Sequence, residues 1–124
     1  MAKATYGTGL GDTYLELLKL GAVVQNNVYV GSVYVYAVEI DATKNPGEDT
    51  FLRMWDNAAP TNGTTAVDTM LPIPKARKIR FTFMQPLTFE TALSVAVVRS
   101  TGGQEGTDGP TQTVDVRILA ADGP

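Results

Sequence analysis

The sequence contains neither cysteine nor histidine, and these two absences exclude several kinds of chemistry. Without cysteine there is no disulfide, no thiolate nucleophile and no zinc site of the Cys/His type. Without histidine there is no Ser-His-Asp triad and no haem held through a histidine ligand. The fold must therefore be stabilised by packing and by backbone hydrogen bonds.

A basic surplus and a long apolar run are missing as well. Lys and Arg number 10 against 13 Asp and Glu, which gives a net charge of −3. Nucleic-acid-binding proteins need a basic surface to neutralise phosphates, so we expect no nucleic-acid partner. No stretch approaches the roughly 18 consecutive apolar residues of a spanning helix, so we expect no membrane partner. No secretory signal is visible, which favours synthesis in a cytoplasm.

The length of 124 residues suits one domain that buries roughly two-thirds of its unfolded surface. No internal repeat or low-complexity tract divides the chain, so we assign residues 1–124 to a single domain. Glycines at positions 7, 9 and 11 predict an extended N-terminal arm over about residues 1–12. A short C-terminal tail is expected at about residues 121–124.

Apolar and polar residues alternate with a period of two in several short segments, which indicates strands with one buried face. Residues 78–83 and 113–118 show this alternation most clearly. Residues 93–98 are almost uniformly apolar, as expected for a central strand covered on both sides. Gly31 and Ser32 interrupt the β-rich run 28–40 and predict a bulge or a bend between two pairings.

Turn residues separate these segments, for example Asn45-Pro46-Gly47 and Asn62-Gly63. Strands at spacings of ~8–15 residues predict an all-β fold, either an antiparallel β-sandwich or a jelly-roll-like barrel. One stretch, residues 13–20 (TYLELLKL), instead favours a short helix near the N-terminus. Its Glu16 follows Thr13 by three residues, as in a capping box.

Two loops resemble ligand-binding motifs only in part. Residues 7–11 lack the preceding strand and the following lysine that a phosphate-binding loop requires. Residues 41–52 begin like a calcium loop, but Pro46 and Leu52 replace its glycine and its glutamate. A solvated turn closed by an Asx side chain is the favoured interpretation, although four residues could still hold a cation loosely: Asp41, Asn45, Glu48 and Asp49.

Four cations lie within six residues: Lys75, Arg77, Lys78 and Arg80. They form either the wet face of a strand or an electrostatic docking site for another protein. An acidic patch made of Glu39, Asp41, Glu48 and Asp49 would supply the opposite sign.

Catalysis could use only paired carboxylates, such as Glu39 with Asp41, Glu48 with Asp49, or Glu16 with Glu90. Their contexts do not predict the raised pKa that a general acid needs, so we expect no enzyme.

Tyr34 and Tyr36 are two residues apart and are predicted to share a face with Val38 and Ile40. The first interpretation places them in the core. The alternative is an aromatic interface patch, or a carbohydrate-stacking platform that includes an exposed Trp55.

Residues 33–98 resemble small β-sandwich structural proteins of tailed bacteriophages. An aromatic strand leads into I-D-x-T-x-N at residues 40–45 and a second strand ends in Trp55-Asp56. The loop P-T-x-G-T-T follows at residues 60–65, and F-x-x-x-L-S-x-A-V at residues 89–97.

This resemblance implies a capsid decoration, or cement, protein on the virion surface, with the major capsid protein and further copies of itself (a trimer or dimer) as partners. It implies no catalytic, cofactor-binding or metal-binding residue, and it does not separate a head protein from a receptor- or carbohydrate-binding module of the tail or fibre. The residues expected to contact the capsid are Lys3, Tyr6, Leu10, Lys75, Arg77, Lys78, Gln104 and Glu105.

Overall fold

The computed structural model describes residues 2–5, 13–99 and 107–124. The described residues form nine β-strands and no helix: β1 (Ala2–Thr5), β2 (Thr13–Leu20), β3 (Gln25–Val30), β4 (Val33–Asp41), β5 (Thr50–Asp56), β6 (Thr69–Ile73), β7 (Lys78–Phe89), β8 (Ala92–Val98) and β9 (Val114–Asp122). The all-β class predicted from the period-two alternation is therefore confirmed.

The strands pair into two antiparallel sheets, as in a β-sandwich. Sheet A has the order β1-β2-β9-β4-β7, and sheet B has the order β3-β8-β5-β6. Buried apolar side chains from both sheets form one core, for example Leu17 and Ile118 from sheet A and Leu52 and Val95 from sheet B. The chain passes from sheet B to sheet A at Gly31, whose φ of 89° lies in the left-handed region open to glycine. The predicted bend between two pairings is confirmed.

The prediction of a helix over residues 13–20 is wrong, because this segment is strand β2. Its burial alternates, with Leu15 and Leu17 buried in the core while the next residue, Leu18, is 46% exposed. The strand pairs with β9 over registers such as Leu15 opposite Ile118. Eight residues are too few for a stable isolated helix, so hydrogen bonding to a neighbouring strand overrides the local preference.

Both predicted terminal segments contain strand residues. Ala2–Thr5 pairs with β2 as an edge strand, so this part of the predicted arm belongs to sheet A, while positions 7, 9 and 11 lie outside the described residues. At the other end β9 continues through Asp122, and Gly123 N donates to Ser32 O at 3.0 Å. A Cβ on Gly123 would lie 2.6 Å from Val33 N, so only glycine permits this approach.

Strand β8 is buried on both faces, as the uniformly apolar run predicted. Val95 and Val97 point into the core between the sheets. Ser94 and Ala96 face the other way and are also fully buried. A cover must therefore lie on the outer face of sheet B.

A β-bulge in β4 separates residues that the simple alternation places together. Val35 and Ala37 pair with the consecutive β9 residues Ala120 and Leu119, which leaves Tyr36 as the extra residue. Val38 and Ile40 consequently lie in the core, whereas Tyr36 lies half-buried on the opposite face. The predicted common face of Tyr34, Tyr36, Val38 and Ile40 is wrong, because a bulge inverts the alternation beyond it.

Candidate functional site: the open face and the basic turn

The outer face of sheet A is formed by the side chains of β2, β9, β4 and β7 that alternate with the core residues. We call it the open face, and it consists mainly of a charged row and two apolar rows that cross the strands. Its side chains are mostly half-buried or exposed, as Leu18 at 46% shows. The open face is therefore a candidate interaction surface.

The charged row of the open face alternates in sign from strand to strand. Glu16 pairs in register with Arg117, Arg117 with Glu39, and Glu39 with Arg80. Arg117 Nε lies 3.3 Å from Glu16 Oε2, and Arg80 Nη1 lies 3.7 Å from Glu39 Oε2. Partial burial lowers the pKa of Arg117, but Tyr14, Glu16 and Glu39 outweigh it and raise that pKa overall. The row thus holds four charges in the order minus, plus, minus, plus.

Two further rows lie beside the charged row, towards the start of β4. We call them the apolar rows after their β9 and β4 members; their β7 members are Thr82 and Thr88. In the first, Leu119 of β9 stands next to Ala37 of β4, and in the second Ala121 stands next to Tyr34. The rings of Tyr34 and Tyr36 are 6.4 Å apart between centroids and tilted by 55°. The face is therefore apolar and aromatic on one side of its charges.

A recess of about 270 Å³ opens on this apolar side of the face. Its apolar lining comes from Tyr36, Ala37, Phe83, Met84 and Leu119, and Arg80 and Thr82 complete the lining. Tyr36 thus contributes to an exposed surface rather than to the sandwich core that the first interpretation favoured.

The basic turn consists of Lys75, Ala76 and Arg77 between β6 and β7, together with Lys78, the first residue of β7, and all four residues are exposed. Its backbone is fixed by three hydrogen bonds to neighbouring loops. Lys75 N donates to Asp49 Oδ1 at 2.9 Å, Ala76 N donates to Asn45 O at 3.1 Å, and Ala42 N donates to Arg77 O at 2.8 Å. Ala76 has a φ of 58°, so the turn holds a left-handed residue at its centre. The three cationic side chains project from a well-fixed backbone.

The acidic residues predicted to face a partner are largely engaged within the chain. Glu39 lies 3.7 Å from the Lys78 ammonium, and Asp49 accepts the hydrogen bond from the basic turn. The predicted acidic patch therefore borders the basic residues instead of forming a separate surface. This arrangement reduces the net charge that β7 itself presents, and leaves Lys75 and Arg77 as the most independent cations of the turn.

The calcium-like loop uses its oxygens to order its own backbone. Asp41 Oδ1 accepts from Thr43 N at 3.0 Å and from Thr43 Oγ1 at 2.6 Å, which is the Asx turn favoured from the sequence. Buried Asn45 donates from Nδ2 to Glu48 O and accepts from Gln112 N. Residues 13–99 and 107–124 include no group of three acidic side chains placed to hold a metal ion.

Glu48 clamps the segment before β9. Its carboxylate accepts from Thr111 N at 2.6 Å and from Thr111 Oγ1 at 2.9 Å. The backbone N–H of Thr111 is the largest cause of the lowered pKa of Glu48, as the hydroxyl of Thr43 is for Asp41. A general acid at neutral pH needs a pKa shifted in the opposite direction.

Asp56 plays the same role at the opposite end of the sandwich. Desolvation raises its pKa, but the backbone N–H groups of Thr91, Glu90 and Ala92 outweigh that effect and lower it overall. These donors lie 2.8 to 3.3 Å from the carboxylate oxygens. The carboxylate therefore fixes the turn between β7 and β8. Glu90 lies in that turn and Glu16 lies in the charged row of the open face, so the two do not form a catalytic pair.

Trp55 is fully buried, which contradicts the hypothesis of an exposed Trp55 in a sugar-stacking platform. Its Nε1 donates to Thr65 O at 3.1 Å. Thr65 belongs to residues 57–68, the covering segment, which folds over the outer face of sheet B. Thr65 lies outside the strands, so the alternation of strand residues gives no signal for this cover.

Arg53 helps attach the covering segment to sheet B, a role that sequence reasoning missed. It is fully buried, and its Nη1 donates to Asn62 Oδ1 at 2.7 Å. Asn62 Nδ2 in turn donates to Ala22 O at 2.8 Å, and burial lowers the pKa of Arg53. The available signal was an arginine inside the otherwise apolar strand FLRMW. Such a residue has to find a polar partner when it is buried.

The predicted capsid-contact residues fall into two groups. The structure brings Lys75, Arg77 and Lys78 together in the basic turn, and it places Lys3 in β1 opposite Leu15. The remaining predicted contacts lie outside the described residues: Tyr6, Leu10, Gln104 and Glu105.

Comparison with protein-family models, with curated proteins and with solved structures gives no match. In the described part of the chain, no helix is long and apolar enough to cross a membrane. The functional interpretation therefore depends on the open face, the basic turn and the resemblance of the sequence.

Proposed function

We propose that the chain is a structural virion protein, a capsid decoration protein that binds the outer capsid surface and bridges neighbouring capsid subunits. Its partners are the major capsid protein and further copies of itself, without nucleic acid or membrane. It is made in the host cytoplasm and acts on the virion, where bridging stabilises the particle. The resemblance of residues 33–98 to small phage structural proteins supplies the identity of the partner.

The basic turn is the observation that carries the proposal. Lys75, Arg77 and Lys78 are exposed on a backbone fixed by hydrogen bonds to Asn45, Asp49 and Ala42. A rigid cationic projection loses little conformational freedom on docking and is steered towards an acidic surface. Recognition of this kind requires a complementary surface on the partner and does not require a cleft.

The deciding experiment mixes the purified protein with particles that lack it. We expect co-sedimentation with the particles and an increase in the temperature at which they release their contents. Absence of both binding and protection contradicts the proposal.

Charge reversal in the basic turn tests the proposed contact. Lys75→Glu/Lys78→Glu is expected to weaken particle binding at low salt by at least about tenfold and to reduce its salt dependence. The matched control is Lys19→Glu/Arg99→Glu, which makes the same change in net charge at two exposed cations away from the turn. Equal affinities for the two double variants would remove the basic turn from the interface.

A receptor- or carbohydrate-binding module of the tail or fibre is the second candidate, favoured by the half-buried rings of Tyr34 and Tyr36 beside the recess. Aromatic rings provide apolar contact area that carries a polar group at its edge, which suits sugars. Tyr36→Ala would then abolish glycan binding on an array without changing particle binding. Binding of no glycan by the wild-type chain argues against this candidate.

A further inference from the structure

We infer that the open face binds a second copy of this chain, so that two sheets A pack face to face about a two-fold axis. The axis runs parallel to the strands, between β9 and β4. This inference rests on the proposed function in one respect: it names the surface through which copies of the chain associate. Its test uses no particles, so its failure is distinguishable from a failure of capsid binding.

The charged row is self-complementary about this axis. The rotation exchanges β9 with β4 and β2 with β7, so Arg117 faces Glu39 of the second copy. Glu16 likewise faces Arg80 of the second copy. An alternating row with an even number of charges always matches opposite signs under this reversal. An axis running along the row would instead place every charge opposite itself, so the charges select one of the two orientations.

The apolar rows are complementary in size about the same axis. In one row Leu119 of β9 stands beside Ala37 of β4, and in the next Ala121 of β9 stands beside Tyr34 of β4. Exchange of β9 and β4 therefore sets Leu119 over Ala37 and Tyr34 over Ala121 of the second copy. At the β9 and β4 positions of both rows, large side chains meet small ones, which favours close packing of the two faces.

The size of the face fits a modest dimer. Four strands ~4.8 Å apart and about nine residues long at ~3.3 Å per residue give a face of roughly 600 Å². Two such faces bury roughly 1,200 Å², the lower end of the range for specific interfaces. Asp115 and Asp41 stand opposite each other in register at the far end of the face, with Lys78 of β7 beside Asp41. This end row would lie at the rim, where water and salt screen the two like charges.

The dimer would place both basic turns at one end. Rotation about an axis parallel to the strands leaves the strand direction unchanged, so the turn after β6 projects from the same end in both copies. Two cationic projections on one side permit bivalent docking, which raises avidity without any new type of contact.

Reciprocal charge reversal tests the geometry with the full-length chain. Sedimentation equilibrium at roughly 100 µM is expected to show a wild-type dimer. Glu16→Arg alone and Arg80→Glu alone each place like charges opposite one another twice, so each should weaken dimerisation at least about tenfold. An equimolar mixture of the two variants restores opposite charges at both contacts and should recover the dimer.

The mixture separates a lost interface from a damaged fold, because misfolded variants cannot rescue each other. Glu90→Arg, a reversal at an exposed residue outside the open face, should leave the dimer unchanged. A wild-type monomer overturns the inference, whether the face is empty or another part of the chain covers it. A wild-type dimer that neither variant weakens also overturns the inference, and so does an equimolar mixture that stays monomeric.

Discussion

At the scale of single residues, the carboxylates of this protein mainly hold backbone in place. Asp56 is the clearest case, because its two oxygens accept three consecutive N–H groups of the turn between β7 and β8. Hydrogen bonds from backbone N–H groups to a charged acceptor are stronger than those to a neutral one. The negative charge of such a residue therefore contributes to the stability of the fold.

Asp56→Asn should lower the free energy of unfolding by about 1–2 kcal/mol, because an amide retains one acceptor and places an N–H₂ group against the donors. Urea denaturation at neutral pH measures this loss. Asp108→Asn is the control, since the side chain of Asp108 is 75% exposed and makes a single ion pair at 4.0 Å. A control variant as unstable as Asp56→Asn would assign the effect to general charge removal.

The residue-scale roles were predictable only where both partners are close in sequence. The Asx turn at Asp41 could be predicted, because its donor is Thr43, two residues away. The clamp of Glu48 on Thr111 spans 63 residues, and no local pattern indicates it. Whether a carboxylate is a ligand, a catalyst or a cap depends on which distant backbone the fold brings to it.

At the scale of elements, β2 shows how pairing decides between two local possibilities. The sequence TYLELLKL is compatible with a capped helix and with an alternating strand. As a strand it buries Leu15 and Leu17 beside β9 and leaves Leu18 outside. Two adjacent leucines thereby acquire opposite environments.

Leu17→Ala should cost about 2–5 kcal/mol of unfolding free energy, because Leu17 is 1% exposed in the core. Leu18→Ala, the neighbouring and chemically identical change, should cost less than about 0.5 kcal/mol in the monomer. Chemical denaturation at low protein concentration measures both. Similar costs for the two variants would contradict the assignment of β2 as a strand with one buried face.

The covering segment gives sheet B an outer layer, whereas most outer side chains of sheet A within residues 13–99 and 107–124 stay half-buried or exposed. It is attached through Arg53 and Asn62, and its Thr65 O accepts the indole N–H of Trp55. Trp55 is the single tryptophan of the chain. Its fluorescence therefore reports on this attachment.

Asn62→Ala removes one acceptor of a buried guanidinium and should lower the free energy of unfolding by about 1–3 kcal/mol. The emission of Trp55 should shift to longer wavelength and become more accessible to a soluble quencher. Asn26→Ala, the same change at an exposed position of β3, is the control and should alter neither property. Unchanged emission in Asn62→Ala would show that the segment stays closed without this hydrogen bond.

At the scale of the whole molecule, the two sheets differ in what lies on their outer faces. Sheet B is covered by residues 57–68, which buries Trp55 and Ser94. The open face of sheet A retains half-buried tyrosines, an alternating charge row and a recess. This difference is the reason we propose self-association through sheet A, with the basic turn left free to dock on another partner.

Global stability should decrease at acidic pH. The pKa values of Asp41, Glu48 and Asp56 are lowered in the folded state, so the folded chain binds fewer protons than the unfolded chain. Their contribution is fully present above pH ~4.5 and is lost as the pH falls through the unfolded and then the folded pKa values. Thermal unfolding between pH ~6 and ~3 should show a falling midpoint.

The triple variant Asp41→Asn/Glu48→Gln/Asp56→Asn tests this assignment. It should be less stable than the wild type at neutral pH, and its midpoint should vary less between pH ~6 and ~3. Equal slopes for the two chains would place the acid sensitivity in other carboxylates.

The sequence by itself determined the class of structure and the chemistry that is impossible. Alternation with a period of two, frequent turn residues and the lack of cysteine and histidine are local or compositional properties, and each has a direct physical consequence. They predicted the all-β fold, the doubly buried strand β8 and the bend at Gly31. The alternation also predicted that Lys78 and Arg80 lie on the solvent face of a strand, where both are exposed.

Only the tertiary structure decided where the alternation breaks and what covers the outer side of each sheet. The bulge at Tyr36 reverses the faces of β4. Pairing with β9 makes residues 13–20 the strand β2 instead of a helix. Residues 57–68 bury Trp55, whose exposure the carbohydrate platform required. These outcomes depend on hydrogen bonds between residues far apart in the chain, and their free energies exceed the local preferences that a single sequence reveals.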